Sequence, residues 1–262
     1  MAAAAAATAS LLMSLALIAA PARAAAAADE APRKYVAISL LGDKVNMVTR
    51  QDKTGSLLNA NLREAFNIPG GLFDQAVLAA IDATVKKTDP KAAIFPLKLA
   101  SAEVLGEPDK LLDGDRFVTP AVLEPTLKQL QASHLLLVTR HFSPSKIRSL
   151  RHTEGSGNLE GLGFYIDRDL VMRRDESSET HRGFLAPYTY FKLSLINLGS
   201  GKLERQKLIT RGQAISSDRK EASADPWEVL TTVEKVEILR EQIKDEIAQQ
   251  LPPLMLAEAQ PR

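Results

Sequence analysis

Apolar residues occur along this chain in two patterns: short continuous or alternating runs, and longer stripes with helical spacing. Runs at residues 35–41 and 45–49 have the content of β-strands, and the Gly42-Asp43 step between them predicts a β-hairpin. The Leu-Leu-Leu-Val run that follows His134 is typical of a strand covered on both faces. Further strands are predicted at residues 92–99, 134–142, 163–172, 184–197 and 203–213.

Three stretches have the apolar spacing of amphipathic helices. Residues 72–87 end in two lysines, which favour a helix C-terminus. Residues 119–133 begin with Thr119-Pro120, and Pro125 predicts a kink or a restart inside them. Residues 226–251 carry a long stripe that we expect to end at Pro252-Pro253. Its uneven spacing favours packing on the protein's own sheet over a coiled coil. The apolar positions of this stripe are Val229, Val233, Val236, Leu239, Ile243, Ile247 and Leu251.

These elements predict an α/β fold with α+β character, in which two or three helices cover a mixed, largely antiparallel sheet. The turn at residues 198–202 is short, so the strands on either side of it should be antiparallel neighbours. Pro96 should confine its strand to a sheet edge, because proline cannot donate to the ladder. We expect a linker at residues 25–34, a single domain at 35–251 and a C-terminal tail at 252–262.

The first 24 residues have the features of a secretory signal peptide. Residues 11–20 form an apolar run, and Ala22-Arg23-Ala24 supplies small residues for cleavage after Ala24. The stretch before the run has no Lys or Arg, so an uncleaved anchor or a cytoplasmic Ala-rich tail are the alternatives. We expect a periplasmic or secreted protein with no transmembrane helix in the mature chain.

Composition removes several function classes. The 262 residues include 33 Lys and Arg and 32 Asp and Glu, so no overall positive field marks the chain for nucleic acid. There is no cysteine, which excludes disulfides, thiol catalysis and a lipidated cysteine, and which suits a bacterial periplasm.

The sequence contains only weak matches to motifs for catalysis, phosphate binding or metal binding. Ser143-Pro-Ser-Lys146 and Lys53-Thr-Gly match two signatures of penicillin-recognising serine enzymes, but their order is reversed and the first follows a strand. The glycines between Gly155 and Gly163 lack the following helix that a phosphate loop requires, so we interpret them as a hairpin tip. No two histidines have helical i, i+4 spacing. We therefore expect no metal and no cofactor. Asp167 and Asp169 would share one strand face, and they are more typical of solvated carboxylates than of an acid-base pair.

One local charge feature remains. Residues 140–152 carry four cations and two histidines with no acidic residue, which predicts a basic hairpin that binds an envelope protein or an anionic envelope component. A solvated surface hairpin is the alternative interpretation. The candidate binding residues are Arg140, His141, Lys146, Arg148, Arg151 and His152.

Residues 127–140, a helix followed by a buried strand, and residues 190–209, a hairpin with a Gly-Ser-Gly-Lys turn, resemble two groups of bacterial envelope proteins. These are the periplasmic module of the curli secretion channel protein and the lipoprotein activators of penicillin-binding proteins. Both groups have a β-hairpin with the motif Asp-x-x-Thr-Gly-Lys. Gly201 and Lys202 match the end of this motif, whereas Asn197 and Ser200 replace its Asp and Thr. The resemblance implies a mixed α/β sandwich with a role in envelope assembly or enzyme activation, and it carries over no catalytic residue.

The expected function is therefore a non-catalytic binding or assembly module of the bacterial envelope. Two alternatives stay open. One is a periplasmic hydrolase that uses Ser143 or Ser145 with His141 or His152. The other is a peripheral membrane protein that is held by the basic hairpin.

Overall fold

Strands and helices account for most of the chain in a computed structural model, which describes residues 32–51, 61–99, 108–149, 153–173, 180–215 and 225–256. The predicted signal peptide and most of the predicted linker lie outside these ranges. The helices are α1 (Leu72–Thr88), α2 (Glu124–Leu130) and α3 (Thr232–Leu256). The strands are β1 (Lys34–Leu40), β2 (Lys44–Thr49), β3 (Leu62–Asn67), β4 (Ala93–Leu97), β5 (Leu112–Asp113), β6 (Arg116–Phe117), β7 (His134–Arg140), β8 (Phe142–Pro144), β9 (Ile147–Arg148), β10 (Thr153–Glu154), β11 (Asn158–Arg173), β12 (Thr180–Asn197) and β13 (Lys202–Gly212).

The long strand β12 is the centre of the sheet. Along one edge it pairs first with β11, up to Tyr190, and then with β7, from Phe191 onward. Its other edge pairs with β13. Strands β1 and β4 lie beyond β7, and β2 and β3 lie beyond β11. The β1–β4, β1–β7 and β2–β11 pairs are parallel and the other strand pairs of this sheet are antiparallel, which confirms the predicted mixed, largely antiparallel α/β fold of one domain.

The hairpin predicted around Gly42 is wrong. Strands β1 and β2 do not pair with each other; they run in the same direction, β1 beside β7 and β2 beside β11. Gly42 has a φ of 69°, so it bends the chain between the two pairings without reversing it. Side chains replace the missing sheet partners here. The Arg140 Nε donates to the Leu41 carbonyl at 2.7 Å, and one Asp74 carboxylate oxygen accepts the N–H groups of Leu41 and Gly42.

Helices α1 and α3 cover one face of the sheet. The prediction for α1 is confirmed, and α3 packs on the sheet as expected. The predicted end of α3 is wrong, because the helix continues through Pro252 and Pro253 to Leu256. Leu254 and Met255 are buried in the core, and the side chain of Arg205 donates to the Leu254 carbonyl at 2.6 Å. These contacts offset the backbone hydrogen bonds that the two prolines remove.

The opposite face has two separate clusters. Helix α2, with β5 and β6, covers the β1 and β7 half of the sheet, where Leu127 belongs to the same buried cluster as Ile38 and Leu137. Strands β8 and β9 cover the half formed by β2, β11 and β12, around Tyr188 and Tyr190. Helix α2 is shorter than predicted, and it begins at the expected restart with a proline in its first turn.

Strand β3 and the glycines between Gly155 and Gly163 differ from the sequence predictions. Strand β3 was not expected, because none of its six residues is buried and it shows no apolar alternation. The glycines interpreted as a hairpin tip lie partly within β11, which begins at Asn158. A Cβ on Gly163 would stand 2.1 Å from the Asn46 carbonyl and 2.5 Å from the Tyr188 hydroxyl, so this position requires the absence of a side chain. Pro96 lies on the edge strand β4, as expected.

Candidate binding cleft

The predicted basic residues do not form one surface. The Arg140 side chain extends between Gly42 and Gly161, where it would contact a Cβ at either glycine, and its Nε is bound to the Leu41 carbonyl. Arg140 is therefore part of the fold at the β1–β2 bend. Arg151 and His152 lie outside the described residues. The other three predicted residues, His141, Lys146 and Arg148, lie within the described residues.

The backbones of His141 and Lys146 both donate hydrogen bonds to Tyr190. The backbone N–H of His141 donates to the Tyr190 carbonyl at 3.0 Å, and the N–H of Lys146 donates to the Tyr190 hydroxyl at 2.8 Å. Burial, reinforced by the positive charge of Lys192, lowers the pKa of His141. Both effects favour the neutral imidazole, so His141 adds little to the positive charge of the basic hairpin.

The proposed serine–histidine pair is not assembled among the described residues. Ser143 lies in β8 opposite Leu159, and the N–H of Ser145 donates to the Gly157 carbonyl at 2.8 Å. No hydrogen bond joins either hydroxyl to His141 within the described ranges. The Lys53-Thr-Gly motif lies outside those ranges.

The carboxylate of Asp167 stabilises the fold. It is buried, one oxygen accepts a hydrogen bond from Arg50 at 2.7 Å, and the other accepts the N–H groups of Asp169 and Leu170. These bonds hold the irregularity that interrupts the β11–β12 register after Asp167. In the described part of the chain, no three His, Asp or Glu side chains gather as a metal would require.

Arg148 lines a cavity. Its carbonyl accepts the N–H of Ala214 at 2.8 Å, which places strand β9 against the end of β13. The adjoining cleft has a volume of about 530 Å³ and lies between β13 and the exposed side of α3. Its walls include Arg148, Lys207, Leu208, Arg211, Asp245 and Gln249.

The floor of this cleft is the outer edge of β13. At one end of that edge, β6 pairs at Lys202, and the N–H of Phe117 donates to the Gly201 carbonyl. At the other end, β9 bridges to Gln213. Between these two pairings, residues 204–211 pair with β12 alone among the described strands. We call this stretch the β13 edge slot.

Three cations of the slot face α3. Arg205 is bound to the Leu254 carbonyl, and Arg211 lies 3.3 Å from Asp245 and 3.5 Å from Glu246. Lys207, between them, is exposed and has no ion-pair partner in the described part of the chain. On the opposite face of the strand, the Leu208 side chain is 49% exposed. The slot thus presents a central positive charge on one face and an apolar side chain on the other.

The sequence reasoning missed the residues of this slot. Strand β13 was predicted, but a strand prediction does not say which of its edges is open. The available signal was its polar content: in Leu-Glu-Arg-Gln-Lys, polar side chains occupy both faces, which is typical of an edge strand.

Comparisons with known proteins leave the family of this chain undefined. No family model and no curated protein matches it. Among solved structures, the hypothetical protein CT253 from Chlamydia trachomatis is similar with a TM-score of 0.36 and 12% identity, over 86% of this chain and 99% of that one. A protein of the DUF330 family from Xanthomonas campestris is similar with a TM-score of 0.33 and 8% identity, over 87% of this chain and 88% of that one. Neither similarity bears on function at these values.

Proposed function

We propose that this chain is exported across the inner membrane of a bacterial cell and acts there as a non-catalytic binding module for an envelope protein. The observation that carries the proposal is the cleft beside β13, which combines an open sheet edge, a basic side chain and an exposed leucine. Such edges recognise other chains through backbone hydrogen bonds and need no reactive side chain.

Export is supported by the sequence of the first 24 residues and by the lack of cysteine. None of the helices in the described ranges is long and apolar enough to cross a membrane. The hairpin at residues 190–209, which carries the resemblance to envelope modules, contributes the outer edge of β13, where residues 204–211 have no second strand partner among the described residues. The resemblance and the cleft therefore involve the same part of the chain.

Fractionation of a Gram-negative host that produces the full chain tests this function. We expect the protein in the periplasmic fraction, with the intact mass of a chain that begins at Ala25. We also expect formaldehyde to cross-link it to envelope proteins. A product that starts at Met1 and remains in the cytosol would contradict export. A periplasmic product that forms no cross-links would contradict the binding role.

A further inference from the structure

We propose that the β13 edge slot binds, as an added β-strand, an extended segment of a partner protein in which acidic side chains alternate with apolar ones. This inference rests on the proposed function and names the class of partner. Three properties of the slot support it: the direction of its backbone groups, its length and its charges.

The backbone direction follows from the hydrogen bonds beyond the slot. The N–H groups of Gln213 and Ile215 donate to carbonyls of β12, whereas the N–H of Ala214 points outward to the Arg148 carbonyl. Backbone groups alternate in direction along a strand, and the β12–β13 register is regular from Arg205 to Gly212. The N–H and C=O groups of Gln206, Leu208 and Thr210 therefore point into the slot.

The slot has the length of one short strand. Residues 204–211 extend over roughly 27 Å at about 3.4 Å per residue. Strands β6 and β9 bound the slot on the same edge, so the sheet already accepts partners in this plane on both sides. An added segment of about eight residues would complete the row.

The charges select the segment. Arg205, Lys207 and Arg211 share the face toward α3, and Arg211 is already neutralised by Asp245 and Glu246. An acidic side chain on the added strand would pair with Lys207. The adjacent side chains of the segment would lie on the other face, beside Leu208, where apolar residues would cover its exposed surface.

A second copy of this chain would supply no acidic side chain to Lys207. If two β13 strands paired antiparallel about Leu208, Lys207 of each copy would lie opposite Ile209 of the other, which is apolar. An acidic side chain on a different partner strand would give Lys207 the opposite charge that a second copy lacks.

A peptide titration tests the proposal on the mature chain. The probe is a fluorescent peptide of about eight residues in which Glu and Val alternate, matching the slot length. One control peptide has Lys in place of Glu, and another has Glu and Val in two blocks. We expect the alternating Glu–Val peptide alone to bind strongly.

Substitutions at one position separate the backbone from the side chain. Leu208→Pro removes an outward N–H and should weaken binding by roughly tenfold or more, whereas Leu208→Ala keeps that N–H and should weaken it by less than about threefold. Lys207→Glu should also weaken binding of the Glu–Val peptide, whereas Lys91→Glu, an exposed change of equal charge before β4, should not.

A further experiment uses the wild-type chain and does not depend on the folding of the proline variant. Peptides that are N-methylated at the residues whose N–H groups face β13 should lose binding, and peptides methylated at the residues whose N–H groups face away should keep it. Equal binding of the block peptide, or no effect of either methylation pattern, would overturn strand addition. A dimer of the wild-type chain that dissociates in Lys207→Glu would assign the slot to a second copy, and would also overturn the proposal.

The outcome is distinguishable from failure of the proposed function. If the Leu208→Pro variant is still exported and still cross-links to the same envelope proteins, the binding module stands and the slot proposal fails. If the wild-type chain remains in the cytosol, the proposed function fails whatever the peptide result.

Discussion

Arg140 is a charged residue whose side chain stabilises the fold. Its Nε is hydrogen-bonded to the Leu41 carbonyl at the bend where β1 leaves β7 and β2 joins β11. Arg140→Ala would leave this carbonyl without its partner, so we expect the free energy of unfolding to fall by about 1–3 kcal/mol. Urea denaturation measures this change. Lys146→Ala, which removes an exposed cation from the same hairpin, is the control and should cost less than about 0.5 kcal/mol.

We expect His134 to make the stability of the fold depend on pH. Burial lowers its pKa from the ordinary value of 6.5, and the nearby Glu204 carboxylate offsets this only in part. Below pH 6.5 the unfolded chain therefore binds a proton that the folded chain resists. We expect the free energy of unfolding to fall as the pH drops below this value, and His134→Gln to reduce the slope. Denaturation series across the pH range test this; an unchanged slope in the variant would show that other groups cause it.

The sequence could not separate the candidate binding residues from one another. Arg140, Lys146 and Arg148 carry the same charge within nine positions, yet Arg140 is bound to backbone, Lys146 lies beside Tyr190 and Arg148 lines a cleft. These differences depend on which strands are neighbours. That information comes from pairing across long stretches of chain, and no local pattern contains it.

At the scale of elements, helix α3 provides a direct test of the apolar stripe. Ile243 is fully buried in the core beneath the helix, whereas Val233, on the same predicted stripe, is 71% exposed. We expect Ile243→Ala to lower the free energy of unfolding by about 2–4 kcal/mol and Val233→Ala to change it by less than about 0.5 kcal/mol. Chemical denaturation of the two variants measures both. Equal losses would contradict the observed orientation of the helix.

The first turn of α3 departs from the stripe because a different side chain is buried there. Lys235 is buried in place of Val233, its ammonium lies 4.1 Å from the centroid of the Trp227 ring, and it donates to the Leu230 carbonyl. A cation over an aromatic face is a contact between two elements. Apolar periodicity cannot anticipate it, although the same periodicity correctly predicted the core positions from Leu239 to Leu251.

The buried strands were predicted accurately, whereas the fully exposed strand β3 was missed. The runs at β1, β7 and β12 have long stretches of buried residues, and all were predicted. Strand β3, with every residue exposed, was not. Burial is what selects apolar residues, so an edge strand that packs against little carries no such signal.

At the scale of the whole molecule, composition and element order were enough for the fold class but not for the sheet order. The bend at Gly42 illustrates the difference, because the same Gly-Asp step suits either a reversal or a change of partner strand. Among the described residues, the structure also places an edge of the sheet that has no strand partner beside the predicted basic hairpin. This edge, and not the hairpin as a unit, is where we place the function.

Amide hydrogen exchange along β13, resolved by NMR, tests that central claim most directly. In the isolated mature chain, the amides of Gln206, Leu208 and Thr210 should exchange at least about tenfold faster than those of Lys207 and Ile209, which face β12. The alternating Glu–Val peptide should slow the three outward amides and leave the inward pair unchanged. Slow exchange at all five positions without peptide, or outward amides that stay fast when it is added, would contradict the account.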